Sequence, residues 1–218
     1  MGEGIAHIIS PLSAPWCGWT MLALLLFAVL SEWLQPGVIS QSPISILVRA
    51  ERTYKEAPTS VLAQLLITLF RIGTLAMLIS LCFCENGSFP FVTFMAICGI
   101  VFGALIAKML CNILLDYTFQ LSRQFGEIYE HYSNLLTLTI VALYPVLLLF
   151  LHIGSSSSYR WLLIITGGVF LLLWLVRSVQ QYIRTPMAIL YLLVYTLTLE
   201  VLPMAGLIYL SAKTISYL

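Results

Sequence analysis

The sequence predicts an all-α fold, a polytopic transmembrane helical bundle of about six spans, with an amphipathic cytoplasmic helical segment after the third. Three observations predict it. Of 218 residues, 61% are hydrophobic and only 9% charged, with a mean hydropathy of +1.00, which lies far outside the range of soluble globular domains. The apolar residues gather into six runs, each within the roughly 17 to 25 residues a helix needs to cross a hydrocarbon core. Those runs are continuously apolar, whereas strands of a membrane barrel are about half as long and alternate polar with apolar residues. A sheet is therefore excluded.

The whole chain, residues 1–218, reads as a single transmembrane domain with spans at about 16–34, 61–84, 91–110, 134–152, 159–176 and 187–210. The first run has no cluster of Lys or Arg before it, so it lacks the positive leader of a cleavable signal peptide and is expected to stay in the mature protein. Between the second and third spans and between the fourth and fifth the connectors are short. The second of these, Gly154 to Ser158, reads as a flexible polar link. Pro145 and Pro203 fall inside the fourth and sixth spans, where proline removes a backbone hydrogen bond and can kink the helix.

If the spans alternate, Arg49, Arg52, Lys55, Lys108, Arg123, Arg177 and Arg184 share one side, and only Arg160 and Lys213 lie on the other. Positive loops stay in the cytoplasm, so both termini are expected on the exterior or periplasmic side. A net charge of +1 offers no basic surplus, and nucleic acid is excluded as a partner.

The cytoplasmic segment from Cys111 to Ser133 has more pattern than a connector needs. Leu114, Leu121 and Ile128 are spaced by seven, as are Thr118, Phe125 and Tyr132, with Arg123, Gln124, Glu127 and Glu130 mostly between the stripes. Such a helix either continues the third span into the cytoplasm or lies in the headgroup layer, and either packs on its own spans or docks on the membrane surface or a partner. Leu121, Arg123, Phe125 and Ile128, together with Arg49, Arg52 and Lys55 of the first cytoplasmic loop, are the candidate partner-docking residues.

Charges inside spans carry the sharpest expectation. Arg71 lies near the middle of the second span and Glu200 near the middle of the sixth. A charge at bilayer centre costs about 2.5 to 3.5 kcal/mol even on the lenient insertion scale, so each needs a partner. Both helices run outward from the cytoplasm, and the two charges differ in depth by only about 5 Å. They are expected to meet, either as an interhelical salt bridge that fixes helix register or as a polar path with Glu200 titrating.

Gly99, Gly103 and Ala107, four apart on the third span, form a small face that lets another backbone come close, within the chain or in a homodimer. The five cysteines show no metal spacing; Cys17, Cys82 and Cys84 share the exterior side, where a disulfide among them is geometrically open, with small apolar packing as the default. His7, His131 and His152 are scattered, and Glu127 with His131 supplies too few ligands for zinc. Neither a metal site nor a cofactor is expected. No zinc-protease helix, phosphate loop or nucleophile elbow is visible.

The residues from Phe125 through Glu127, Tyr132, Asn134 and Pro145, then an apolar helix, the basic turn Arg177 to Arg184, and the ending Tyr195-Thr196-Leu197-Thr198-Leu199-Glu200-Val201-Leu202-Pro203 carry a resemblance. Together they resemble a Bacteroidota family of uncharacterised polytopic inner-membrane proteins, catalogued as a domain of unknown function (DUF 4271). The resemblance covers about the last two thirds of the chain and implies an inner-membrane bundle of the same fold, with no activity attached. By analogy it favours a non-catalytic subunit or assembly component of a cell-envelope complex, with lipid and inner-membrane proteins as partners. Two alternatives stand beside it: a small-solute or ion permease using Glu200 and Arg71, and a lipid-modifying membrane enzyme acting through Glu200, Asp116 or His131.

Overall fold

A computed structural model describes residues 15–39, 60–83, 90–119, 122–153, 156–182 and 202–217. These form six helices: α1 (Pro15–Leu34), α2 (Val61–Phe83), α3 (Phe91–Phe119), α4 (Ser122–Ile153), α5 (Ser156–Tyr182) and α6 (Leu202–Tyr217). No strand occurs among the described residues. By length and composition, α1 to α5 are each able to cross a membrane.

α2 is the hub. Its sequence is apolar around the whole circumference, the mark of a helix surrounded by others, and it contacts every other described helix. Of its most apolar stretch 72% is buried, against 28% for α1 and 17% for α3 and for α5. Small residues make this possible: the α-carbon of Gly73 lies so close to α1 that a Cβ there would collide with the end of Leu24. Thr74 and Ser80 are buried, and each hydroxyl donates back to the carbonyl four residues earlier, on Phe70 and Ala76. Around them Ile67, Phe70, Met77, Leu78 and Leu81 meet Ile97, Val101, Ile140, Leu147 and Phe170 of the surrounding helices.

Contacts at helix ends establish antiparallel, up-and-down threading. At one end Trp16 of α1 packs on Phe91 and Phe94 of α3, with centroids 5.5 and 5.7 Å apart. There too the Cys82 thiol of α2 donates to the Tyr159 carbonyl of α5 at 3.1 Å, and the Tyr159 hydroxyl donates to the Phe150 carbonyl of α4 at 2.8 Å. Toward the opposite end Tyr132, about a third of the way along α4, meets Phe170, midway along α5, edge to face at 5.4 Å.

Several boundaries differ from the expected ones. The segment from Cys111 to Ser133 is shared between the last turns of α3, which continue the third span to Phe119, and the first turns of α4, which begin at Ser122. An apolar window marks where a helix leaves lipid, but backbone hydrogen bonding continues until a breaker appears, and none lies between Leu110 and Phe119. The expected flexible link Gly154 to Ser158 shrinks for a related reason: α5 already starts at Ser156, serine being a favoured residue at helix N-termini. α6 runs seven residues past the expected end at Leu210. Pro145 sits inside α4, which stays helical across it, and Pro203 is the second residue of α6 as described. Residues 187–201 of the expected sixth span lie outside the described residues.

Candidate functional site

Polar chemistry gathers where α2, α3, α4 and α5 come together around residues 132–137 of α4. Arg71 projects from the third turn of α2 and is partly buried, turned toward α4. Its Nη1 donates to Ser133 Oγ at 3.0 Å and its Nη2 to Thr137 Oγ1. Ser133 and Thr137 are one turn apart, so both hydroxyls face the same way. Thr137 is fully buried, and its own proton goes to the Ser133 carbonyl at 2.8 Å, leaving its oxygen lone pairs for the guanidinium.

One residue earlier, Tyr132 receives a second cation. The ammonium of Lys108, from α3, stands 3.3 Å above the Tyr132 ring centroid, a cation–π contact, while the ring's edge rests on Phe170. Two positive side chains from two different helices are thus anchored on successive residues of α4. The guanidinium stays charged at any relevant pH and cannot relay a proton. The arrangement supports charge and orients helices.

The opposite end of the bundle is tied by carbonyl-directed bonds. Besides the Cys82 and Tyr159 contacts, Arg160 Nε donates to the Cys82 carbonyl at 3.1 Å and the Tyr144 hydroxyl to the Met21 carbonyl at 2.7 Å. Phe70 lies against the Tyr144 ring with centroids 5.5 Å apart. Cys17, Cys82, Cys98 and Cys111 are all free thiols, so the disulfide open to Cys17 and Cys82 on sequence grounds is not formed; Cys84 lies outside the described residues.

Of the sequence-predicted residues, Arg71 is brought into the bundle, while Glu200 lies outside the described residues, as do Arg49, Arg52, Lys55 and Leu121. Arg123, Phe125 and Ile128 fall on the first turns of α4, and Asp116 on the last turns of α3. Gly99, Gly103 and Ala107 lie on the outer side of α3. All three are exposed, and a Cβ added at Gly99 or Gly103 meets nothing within 4 Å. Close helix approach inside the chain falls at Gly73 instead. Among the described residues no three His, Cys, Asp or Glu side chains are grouped as a metal site would need.

Sequence reasoning missed Ser133 and Thr137 as the partners of Arg71, since isolated hydroxyls in apolar runs are common. The only available signal was their four-residue spacing. It also passed over Glu32, whose carboxylate accepts from the Gly37 and Ile39 amides at 2.9 and 2.7 Å and closes the turn that follows α1. Gly37 takes a φ of 105° there, a conformation glycine adopts without a steric penalty. An acid in the last helical turn followed by Pro36-Gly37 was the legible cue.

The fold and this cluster define a polytopic helical membrane protein whose interior polar groups link one helix to another. More narrowly, the chain belongs to the family described as a domain of unknown function (DUF4271), whose family model matches residues 18–210. No curated protein and no solved structure matches it.

Proposed function

We propose that the chain is a non-catalytic membrane subunit or assembly component of a bacterial cell-envelope complex, seated in the inner membrane with both termini periplasmic. The observation that carries the reading is the outward-facing Gly99, Gly103 and Ala107 surface of α3. Lipid tails are as apolar as leucine, so helices in a bilayer associate through close packing, and small residues at four-residue spacing are what permits it. Among the described residues nothing lies within 4 Å of a Cβ placed at Gly99 or Gly103. The interhelical bonds of Arg71, Tyr144, Tyr159 and Arg160 point the same way, because they give these polar groups structural work. The link to Bacteroidota and to their envelope rests on the resemblance described above.

The test is Gly103→Leu in the native membrane, followed by extraction in mild detergent and native-size analysis. A stoichiometric assembly containing the parent chain, lost in the variant, is the expected result. A parent chain that migrates alone, with Gly103→Leu indistinguishable from it, overturns the proposal.

A permease reading is favoured by one observation, the charge of Arg71 inside the bundle. On that reading Glu200 and Arg71 line a polar path. Exchanging them, Arg71→Glu with Glu200→Arg, restores assembly if the pair is structural. Under the permease reading the exchanged protein assembles but no longer moves its solute.

A further inference from the structure

The long helices and the aromatic residues at their ends fix how the chain sits in a bilayer. Trp16 and Phe91 touch, which places the starts of α1 and α3 at one height. Seventeen residues after each come Trp33 and Lys108, about 26 Å further along either axis. Lys108 stands over Tyr132, and eighteen residues beyond Tyr132 on α4 is Phe150, whose carbonyl holds the Tyr159 hydroxyl back at the first height. The α3 and α4 segments, joined at Lys108 and Tyr132, therefore return the same separation, close to the roughly 30 Å of a hydrocarbon core, and Trp33 lies equally far along α1.

The side chains at the two heights are those that favour a headgroup layer. Trp19 is 72% exposed and Trp161 63% at the first, with Arg160 also exposed; Trp33 is 77% exposed at the second, joined by Lys108 and Tyr132. Tryptophan and tyrosine concentrate at membrane–water interfaces because one part of the ring is apolar and the other polar. Between the two heights the outer surface is Leu22, Leu25, Leu26 and Val29 on α1 and Val92, Met95, Phe102 and Ile106 on α3.

α3 has 29 residues and α4 has 32, about 44 and 48 Å of helix. Even at a tilt of about 40°, the upper end of what membrane helices show, both exceed a core of about 30 Å. The excess lies at one end for both, beyond Lys108 on α3 and before Tyr132 on α4.

We infer that Trp19 and Trp161 lie in one headgroup layer and Trp33, Lys108 and Tyr132 in the other, and that α3 and α4 together project about 15 Å out of the second layer into water. The occupant of the aromatic belts is the lipid headgroup region, and the projecting pair is the part of the described chain that a water-soluble reagent reaches.

The experiment uses the full chain reconstituted in phosphatidylcholine–phosphatidylglycerol vesicles carrying bromine at acyl carbons 6–7 or 11–12. Trp19→Phe, Trp33→Phe and Trp161→Phe are made one at a time. The fluorescence each change removes is expected to be quenched at least about twofold more by the shallow bromines, as interfacial indoles require. Stronger quenching by the deep bromines for any of the three overturns the register. Projection is read separately, by reaction of a membrane-impermeant maleimide with Ser122→Cys and Asp116→Cys, taking the difference from the parent chain. Both are expected to react at least about tenfold faster than Gly99→Cys, whose site is open but lies between the belts. Equal rates at 122, 116 and 99 overturn the projection, and the Ser122 variant, a near-isosteric change, guards against loss of fold at 116.

Discussion

Replacing Arg71 by methionine removes a guanidinium that bonds to both Ser133 and Thr137, yet the single substitution is a poor measure of that interaction. Taking the charge out also removes its insertion cost, which is below the about 2.5 to 3.5 kcal/mol of bilayer centre because its partners Ser133 and Thr137 lie within five residues of the Tyr132 layer. A hydrogen bond to a charged group contributes about 1.5 to 3 kcal/mol in soluble proteins, while interhelical bonds in bilayers average about 0.6 and reach about 1.7. The two effects oppose each other, and the net change for Arg71→Met is small and of either sign. A double-mutant cycle separates them, because Thr137→Val leaves the charge where it is and removes only its acceptor. The geometry favours a clean cycle: the Thr137 hydroxyl donates to the Ser133 carbonyl with or without Arg71, so Arg71→Met orphans no proton. The expected coupling between the two positions is about 0.6 to 1.7 kcal/mol, read by reversible unfolding in bicelles, and Ser133→Ala should couple to Arg71 by a similar amount. Coupling below about 0.3 kcal/mol for both hydroxyls would refute the claim that the guanidinium joins α2 to α4.

The two glycine sites should respond oppositely to the same change. Gly73→Val, set against Leu24, is expected to destabilise the folded state by about 1 to 3 kcal/mol, while Gly103→Val, with nothing within 4 Å among the described residues, stays within about 0.5 kcal/mol for the isolated chain. Tyr144→Phe deletes the bond to the Met21 carbonyl but keeps the ring against Phe70; a loss of about 0.5 to 1.5 kcal/mol in the same assay is expected, and no loss would show that α1 is not tied there. Cys17 and Cys82 are buried free thiols, so both should resist alkylation until the protein is unfolded, with migration unchanged by reductant. Rapid alkylation of either in the folded state would contradict the packing at that end.

Five of the membrane-crossing helices were legible because hydrophobic length is itself the physical requirement for crossing, and the windows at 16–34, 61–83 and 91–111 match the expected spans almost residue for residue. Helix ends beyond the lipid were not legible, since no comparable constraint acts on α3 past Leu110 or on α4 before Tyr132. Nor could hydropathy rank the helices. α2 and α3 are nearly equal in apolar content, 2.1 against 2.2, yet one is the hub and the other mostly faces outward. Small residues do not separate them either, since α3 carries as many as α2; what does is which side chains on other helices meet them, a tertiary property that a hydropathy scale does not hold.

The same distinction explains why Gly73 and Gly103 have different fates despite similar settings. At Gly73 the facing residue on α1 is Leu24, whose branched end fills the hollow, and the contact is complete within one chain. Gly103 is flanked on one side by the parallel row of Phe102, about half exposed, and Ile106, 43% exposed, which stands along a shallow furrow running from Gly99 to Ala107. Lipid tails fill such a furrow poorly compared with a rigid helix, because a fluid chain ordered into a groove loses conformational entropy that a preformed helix has already lost. On the proposed reading the furrow is kept for another helix, and Gly103→Leu removes what that helix gains by entering it.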